Sequence, residues 1–514
     1  MAVLLVPHAE SKPNEAALTD ESGVTTWSEL NARTNRLIHA LRGLGLGVGD
    51  AIAIHSRNRR EYFELMAAAT HAGLRYVMVN WHWTADELRY VLTDSGTSVI
   101  FSEDAFAEVA RGAVEGLDLK ARVSLGADIE GFEPYERFLA DDAGEPAGQS
   151  LGASMIYTSG TTGRPKAVTR SIFTPGGDVA TIQVVGMVFA QIFSIPDPGR
   201  TLLVGPVYHS AQWLWSFVLM LVGRPVVMRQ GWDPAETLRL IDEYRITNVH
   251  LVPTQFVRLL RLPAADREAF DGSSLAAVWH GAAPCAPEVK RQMIEWWGPI
   301  INEYYGSTEA SVNTIVSSEE WLKKPGTVGR PLPTTEVKVL REDGEPAGPG
   351  ERGQIWFRYT SGDDIEYWGD KEKTDSIHRD GLFTVGDIGY FDEDGYLFLS
   401  DRAIDMIISG GVNIYPAEIE GVLITHPAVR DVAVFGIPDP EFGEQVKAAV
   451  EPADGFEPSA ALAAELTEFA RERLAGYKVP KSVDFEEALP RTPTGKLYKR
   501  LLRDPYWAGR TGGI

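Results

Sequence analysis

The sequence predicts an α/β protein in two parts. A large N-terminal domain combines mostly parallel sheets, covering helices and a β subdomain, and a small α+β C-terminal domain follows. Three observations predict this. Short apolar runs alternate with helical patterns from residue 51 to residue 297, the order that builds parallel sheets clothed in helices. From Gly326 the pattern changes to short strands between turn signals. Near Asp401 it changes again, opening a last stretch of roughly a hundred residues, an ordinary small-domain size. The domains are therefore 1–400 and 401–514.

Each element has its own signal. Thr26-Trp-Ser-Glu29 reads as a capping box, with Leu30, Leu37 and Leu41 on one helical face and Gly43 after them. Gly43, Gly45, Gly47 and Gly49 are a helix-to-strand turn. A dinucleotide fingerprint needs the strand first, and here the strand 51–55 comes second. Next come a helix at 61–73, a strand at 76–80, a helix at 84–95 and a strand at 98–101. An acidic loop over 140–150 follows. Strands over 201–205, 225–228, 248–252 and 276–280 are interleaved with helices over 234–244 and 287–297. The apolar stretches 182–193 and 213–222 fall short of the ~20 residues that span a bilayer, and both read as buried helices. In the β subdomain, strands fall at 336–340, 353–358 and 396–400. The last unit carries a helix over 416–425, a strand over 429–437, a helix over 459–474 and a tail over 490–500.

Bulk properties narrow the function. A chain of 514 residues, 44% hydrophobic, is too long for one ordinary core. The formal net charge of −23 argues against a sequence-independent nucleic-acid binder, which needs excess Lys and Arg for phosphates. Cys285 is the only cysteine, so no intramolecular disulfide and no cysteine zinc site can form. The opening apolar run 1–7 lacks basic flanks and meets a proline, and residues 510–514 match no lipidation signal. A cytoplasmic protein without an integral membrane segment is expected.

The most informative run is Tyr157-Thr-Ser-Gly-Thr-Thr-Gly-Arg-Pro-Lys-Ala-Val168. A buried strand leads into it. Gly160 and Gly163 permit backbone angles that turn successive N–H groups to one concave side, which suits anionic oxygens. Thr158, Ser159, Thr161 and Thr162 add donors, and Lys166 adds a positive charge. The Walker spacing does not fit, because Lys166 follows Pro165 and no Ser or Thr succeeds it. An arbitrary Gly/Ser/Thr run is more often a surface loop, but the strand before it and the Pro-Lys ending favour a phosphate cradle.

The run resembles the signature loop of the adenylate-forming superfamily, which includes acyl-CoA synthetases, peptide-synthetase adenylation domains and firefly-type luciferases. Further motifs match. Tyr304-Tyr-Gly-Ser-Thr-Glu-Ala310 resembles the second signature; the resemblance implies that Glu309 holds magnesium and Thr308 a phosphate oxygen. It also counts Glu303, Tyr304, Tyr305 and Gly306 among the nucleotide-binding residues. Gly281, Ala282, Ala283 and Pro284 resemble the loop on the adenine face. Asp387, in Val385-Gly-Asp387, matches the aspartate that accepts from the ribose diol. Arg402 matches an arginine of the ribose and phosphate region. The stretch 399–420 is the longest match. It implies a hinge at Asp401, a mobile C-terminal domain, and a pantetheine tunnel lined by Gly410 and Gly411. It departs from many relatives at Ala403, where they carry lysine. Pro490-Arg-Thr-Pro-Thr-Gly-Lys496 resembles the loop with the catalytic lysine, and Gly476-Tyr-Lys-Val-Pro480 its scaffold.

The resemblance implies ATP, Mg2+ and CoA, a small-molecule carboxylic acid, and room for a homodimer. The acid would form an acyl-adenylate and pyrophosphate, then a CoA thioester and AMP. His209, in Pro206-Val-Tyr-His-Ser210, would position substrate and gate the thiol path. The acyl pocket is expected around 209–217, 252–258, His280 and 303–304. The bulk of Trp213, Trp215 and Phe217 favours a compact or cyclic acid, although each is as readily a core residue. Asn80-Trp-His-Trp-Thr-Ala-Asp86 and Trp296-Trp-Gly-Pro299 are similar to bacterial fatty-acid and cyclic-acid CoA ligases. Two alternatives stay open: transfer to a carrier-protein thiol, an amine or nitrite, and a non-catalytic nucleotide binder. Retention of Glu309 and Lys496 speaks against the second.

Overall fold

A computed structural model describes residues 4–158, 165–402, 405–410, 412–491 and 497–508, with only the backbone at 401 and 402. Ser159, Gly160, Thr161, Thr162, Gly163, Ala403, Gly411 and Lys496 lie outside the described residues. The chain divides into two units. Unit one comprises Met1–His250, Pro263–Val278 and Ser361–Ser376; unit two comprises Leu251–Leu262, Trp279–Thr360 and Ile377–Ile514.

Unit one is built on an eight-stranded sheet. Its order is Ile365–Tyr367, Lys166–Arg170, Ala153–Thr158, Arg75–Met78, Ala51–His55, Thr97–Glu103, Ala121–Leu125 and Glu133–Pro134. The strands from Ala153–Thr158 onward are parallel. All five residues of Ala51–His55 are buried, as expected for a central parallel strand covered on both faces. A second set of short strands places Val226–Met228 between Ala16–Asp20 and Thr201–Leu203, with Asn248–Leu251 beyond the latter. Helices Trp27–Gly43 and Arg60–Ala72 supply one core that joins both sets, through Leu30, Ile38, Tyr62, Phe63 and Met66 against Ile54, Phe217 and Met228. The capping box is formed: Glu29 N donates to Thr26 Oγ1 at 3.2 Å, and Thr26 N donates to Glu29 at 2.8 Å. Helix Arg60–Ala72 stops at Gly73, whose φ is +74°. A Cβ there would stand 2.5 Å from Ser150 Oγ.

One expectation needs correcting. Helix Ala180–Ile192 buries Ile182, Gly186, Phe189 and Ala190, but it leaves Val184, Met187 and Val188 exposed. High hydrophobicity told of a helix without telling how much of it would find a partner. The stretch 213–222 is buried as expected, through a π-helical turn at Leu214–Val218.

In unit two, Ile301–Ser307, Ser311–Val316 and Arg330–Pro331 form an antiparallel meander beside helix Pro287–Trp297. An antiparallel sheet runs Thr335–Leu340, Gly353–Tyr359, Leu382–Phe391 and His378–Arg379, with Leu397–Arg402 also on Leu382–Phe391. This is the expected β subdomain. The last sheet runs Val412–Ile414, Ile407–Ser409, Gly443–Pro452 and Val429–Asp439, with Ser482–Phe485 parallel to Gly443–Pro452. Helices Pro416–Leu423 and Ala460–Arg471 close its core through Ile419, Leu423 and Leu466. Among the described residues, no helix is long and apolar enough to cross a membrane.

Candidate active site

The strand Ile301–Ser307 organises the site in unit two. Alternation puts Glu303 and Tyr305 on one face and Tyr304 on the other. Tyr305 Oη donates to Asp387 Oδ2 at 2.6 Å, and both residues are buried. Asp387 belongs to Leu382–Phe391, where it lies opposite Arg402 in the strand register. Tyr304 packs on the loop after strand Ala277–His280. A Cβ on Gly281 would fall 2.6 Å from the Tyr304 ring and 2.9 Å from the Tyr304 carbonyl oxygen, so only glycine fits. Ala282 takes a positive φ of 67°, which turns the exposed Ala282 and Pro284 outward.

Glu303 belongs to a buried ion pair whose other member, Lys290, motif reading did not single out. Lys290 Nζ donates to Glu303 Oε2 at 2.6 Å, and His280 Nε2 lies 3.5 Å from the same oxygen. Burial pushes the Glu303 carboxyl up and the Lys290 amine down, and each pulls the other back toward its charged form. Burial beside Glu303 also pushes the Cys285 thiol up, so it is a poor nucleophile. A signal for Lys290 existed in the sequence: it shares the apolar face of helix Pro287–Trp297 with Val289, Met293 and Ile294.

After the strand, Thr308 and Glu309 occupy the turn into Ser311–Val316, both half-buried. Ala310 N donates to Ser307 Oγ at 2.9 Å, and a Cβ on Gly306 would strike the Ser311 carbonyl. The Ser307 hydroxyl thus braces the turn, and the close approach of Ser311 requires glycine at 306.

Gly410 lies apart from this cluster, in the last sheet. Its φ is +58°, and its N–H donates to Phe442 O at 2.7 Å. The flanks of 492–496 are anchored. Arg491 pairs with Leu497 across a bridge and bonds Asp431 in bidentate fashion, and Lys499 meets Glu420 at 2.8 Å.

Unit one holds Thr158, Lys166 and the segment 209–217, whereas the segment 252–258 belongs to unit two. Thr158 ends its strand opposite Lys166, which opens the antiparallel return strand. The Lys166 ammonium bonds Asp370, and that contact, helped by Lys373 N, holds the Asp370 carboxyl below its usual range. His209 occupies the position before helix Ser210–Trp213 without a side-chain capping bond, and its ring lies 4.3 Å from that of Tyr208. Trp215 packs on Phe189, Phe193 and His250, and Phe217 on Phe63 and Tyr76. Both are core residues, so their bulk says little about an acyl pocket.

Comparison with known proteins completes the picture. Residues 5–361 match the AMP-binding enzyme family, and residues 418–496 match the AMP-binding enzyme C-terminal domain. The chain belongs to the AMP-binding enzyme family. It is thus an enzyme of the adenylate-forming superfamily. Within that family it is 35% identical over 503 residues to a feruloyl-CoA synthase of an Amycolatopsis species, covering 97% of each chain. It is 32% identical to the fatty acid–[acyl-carrier-protein] ligase ScoC of Streptomyces coeruleorubidus, over 97% of this chain and 95% of that one. Among solved structures, the amide bond synthetase McbA from Marinactinospora thermotolerans superposes with a TM-score of 0.83 at 28% identity, covering 98% of this chain and 99% of that one. These AMP-binding enzymes differ in the acceptor their names carry.

Proposed function

We propose that this AMP-binding enzyme is an acyl-CoA synthetase: it activates a carboxylic acid with ATP and passes the acyl group to CoA, releasing pyrophosphate and AMP. The observation that carries the reading is the convergence of Gly281, Tyr304, Tyr305 and Asp387 in one unit. In this reading the loop Gly281, Ala282, Ala283, Pro284 backs the adenine, with Glu303, Tyr304 and Gly306 beside it. Asp387, oriented by Tyr305, takes the ribose hydroxyls, and Arg402 lies toward the phosphates. Thr158, Ser159, Gly160, Thr161, Thr162, Gly163 and Lys166 bind the pyrophosphate side. Lys166 exchanges Asp370 for phosphate oxygens when ATP enters.

The substrate carboxylate attacks the α-phosphorus, and the bond to pyrophosphate breaks. Lys496 bridges carboxylate and α-phosphate, so positioning and charge stabilisation drive the step. Glu309, a half-buried carboxylate beside Thr308, fits magnesium, which takes few protein ligands and would supply charge neutralisation when bound. A thiolate then attacks the acyl carbonyl and AMP leaves. Rotation about Asp401 withdraws Lys496 and brings Gly410 and Gly411 to the thiol path, with His209 beside the acyl group.

A second acceptor is favoured by specific relatives. ScoC is named for a carrier protein and McbA for amide bonds, so a carrier thiol or an amine is the alternative. A panel of carboxylic acids with ATP, with and without CoA, read by mass spectrometry, decides. Thioester masses support the proposal; AMP release without a CoA adduct supports the alternative. Lys496→Ala should lower ATP–pyrophosphate exchange by at least about a hundredfold while sparing thioester formation from supplied acyl-adenylate. Equal loss in both halves would overturn its role.

A further inference from the structure

Asn58 is a buried amide in the link between strand Ala51–His55 and helix Arg60–Ala72. Its Nδ2 donates to the carbonyl oxygens of Gly205 at 2.9 Å and Arg229 at 3.2 Å, and its Oδ1 accepts from Val207 N at 2.9 Å. Only this orientation of the amide fits, because the two carbonyls need a donor and the N–H needs an acceptor. The three partners lie just past the carboxyl ends of strands Thr201–Leu203 and Val226–Met228, where the backbone leaves its ladder. One side chain thus ties together the ends of three strands of unit one.

Two of the three bonds hold the turn that ends in His209. Gly205 and Val207 flank Pro206, whose ring nitrogen has no hydrogen to donate. His209 N closes the turn on Pro206 O at 3.1 Å, and His209 O accepts from Trp213 N at 2.9 Å as helix Ser210–Trp213 begins. Gln212, in that helix, packs on the same residue that Asn58 bonds. A Cβ on Gly205 would stand 2.8 Å from the Gln212 amide, whose Nε2 lies 3.0 Å from His250 Nδ1. The backbone leading to His209 is therefore held by Asn58 and backed by Gln212.

Resting on the reading that sets His209 beside the acyl group, we propose that Asn58 is a positioning residue for the thioester-forming step. It touches neither acid nor nucleotide and acts through His209, by fixing the 205–209 backbone from which that ring projects. A side chain that only filled space here could be leucine. Leucine would leave two carbonyls and one N–H buried without this partner, and the turn would shift to find others, carrying His209 with it.

A double-mutant cycle on the whole chain tests this. The rate measured is thioester formation from CoA and a supplied acyl-adenylate, made from the acid that gives the strongest signal in the panel above. Asn58→Ala should slow it on the order of tenfold in the otherwise wild-type chain, and by less than about twofold where His209 is already alanine. A general packing defect would slow both backgrounds alike, so equal losses overturn the proposal. Asn58→Ser keeps a hydroxyl for one of the three bonds and should lose only about threefold, with the same dependence on His209. It carries the same cycle if Asn58→Ala does not fold. His209→Ala as fast as the wild type sinks the reading of His209 on which the proposal rests, whereas a slow His209→Ala with additive losses sinks only the role of Asn58.

Discussion

The two units bury charge in different ways. In unit one, the carboxylates of Asp20, Glu64, Glu103 and Asp363 are shielded, but each faces an arginine whose side chain stays partly exposed: Arg60, Arg33, Arg57 and Arg170. Its deep histidines stay neutral, since burial pulls His55 and His71 down to about 4 and His250 to about 3. In unit two, Lys290 and Glu303 are both shielded. A pair with one partly exposed member pays less desolvation than one shielded on both sides. A fully shielded pair has no such relief. The difference teaches that the unit-two pair carries a desolvation cost that the unit-one pairs largely avoid.

The largest test breaks that pair. Lys290→Met alone should cost about 3–5 kcal/mol in denaturant unfolding, while adding Glu303→Gln should recover most of it. A single variant as stable as the wild type would erase the contrast. Next, the neutral histidines should make unit one acid-sensitive. Their folded pKa values lie below the unfolded value of about 6.5, so the stability they contribute is complete above that pH and is lost as pH falls toward 4. Each withdraws about 2 kcal/mol between pH 6 and 4.5. His55→Asn should flatten the plot of unfolding free energy against pH over that range by about this amount, and an unchanged slope would show that His55 is not held neutral. Third, Tyr305→Phe leaves Asp387 buried with one donor fewer. A loss of about 1–2 kcal/mol is expected, read as a roughly tenfold rise in the KM for ATP. The smallest effect belongs to a fully wet pair: Lys371→Ala, opposite Asp375 one helical turn on, should cost under about 0.5 kcal/mol. A larger loss there would blur the distinction between exposed and shielded charge.

Much of this was legible in the chain. The alternation of strands and helices, the capping box at Thr26 and the helix 287–297 follow from local rules, and the helix matches the residues observed. Tyr305 and Asp387 could each be named from motifs. Their hydrogen bond could not, because it joins residues 82 apart and no local period encodes that. Lys290 is not among the sequence-predicted residues, because no local rule tells a buried lysine on an amphipathic helix from a solvent-facing one. The hairpin of Val429–Asp439 with Gly443–Pro452 was read as one strand, since the second carries Glu444, Gln445 and Lys447 and looks half-polar until its partners are known.

The contact of Tyr304 with Gly281 ties two distant codons together. Widening position 281 by a single methyl group drives it into both the ring and the backbone of residue 304. Shrinking Tyr304 alone would open a void beside a glycine that cannot fill it. Neither single change is accommodated by the other position. Libraries meant to reshape this corner of the enzyme should hold position 281 as glycine and vary residue 304, because the clash with the residue-304 carbonyl persists whatever side chain stands there.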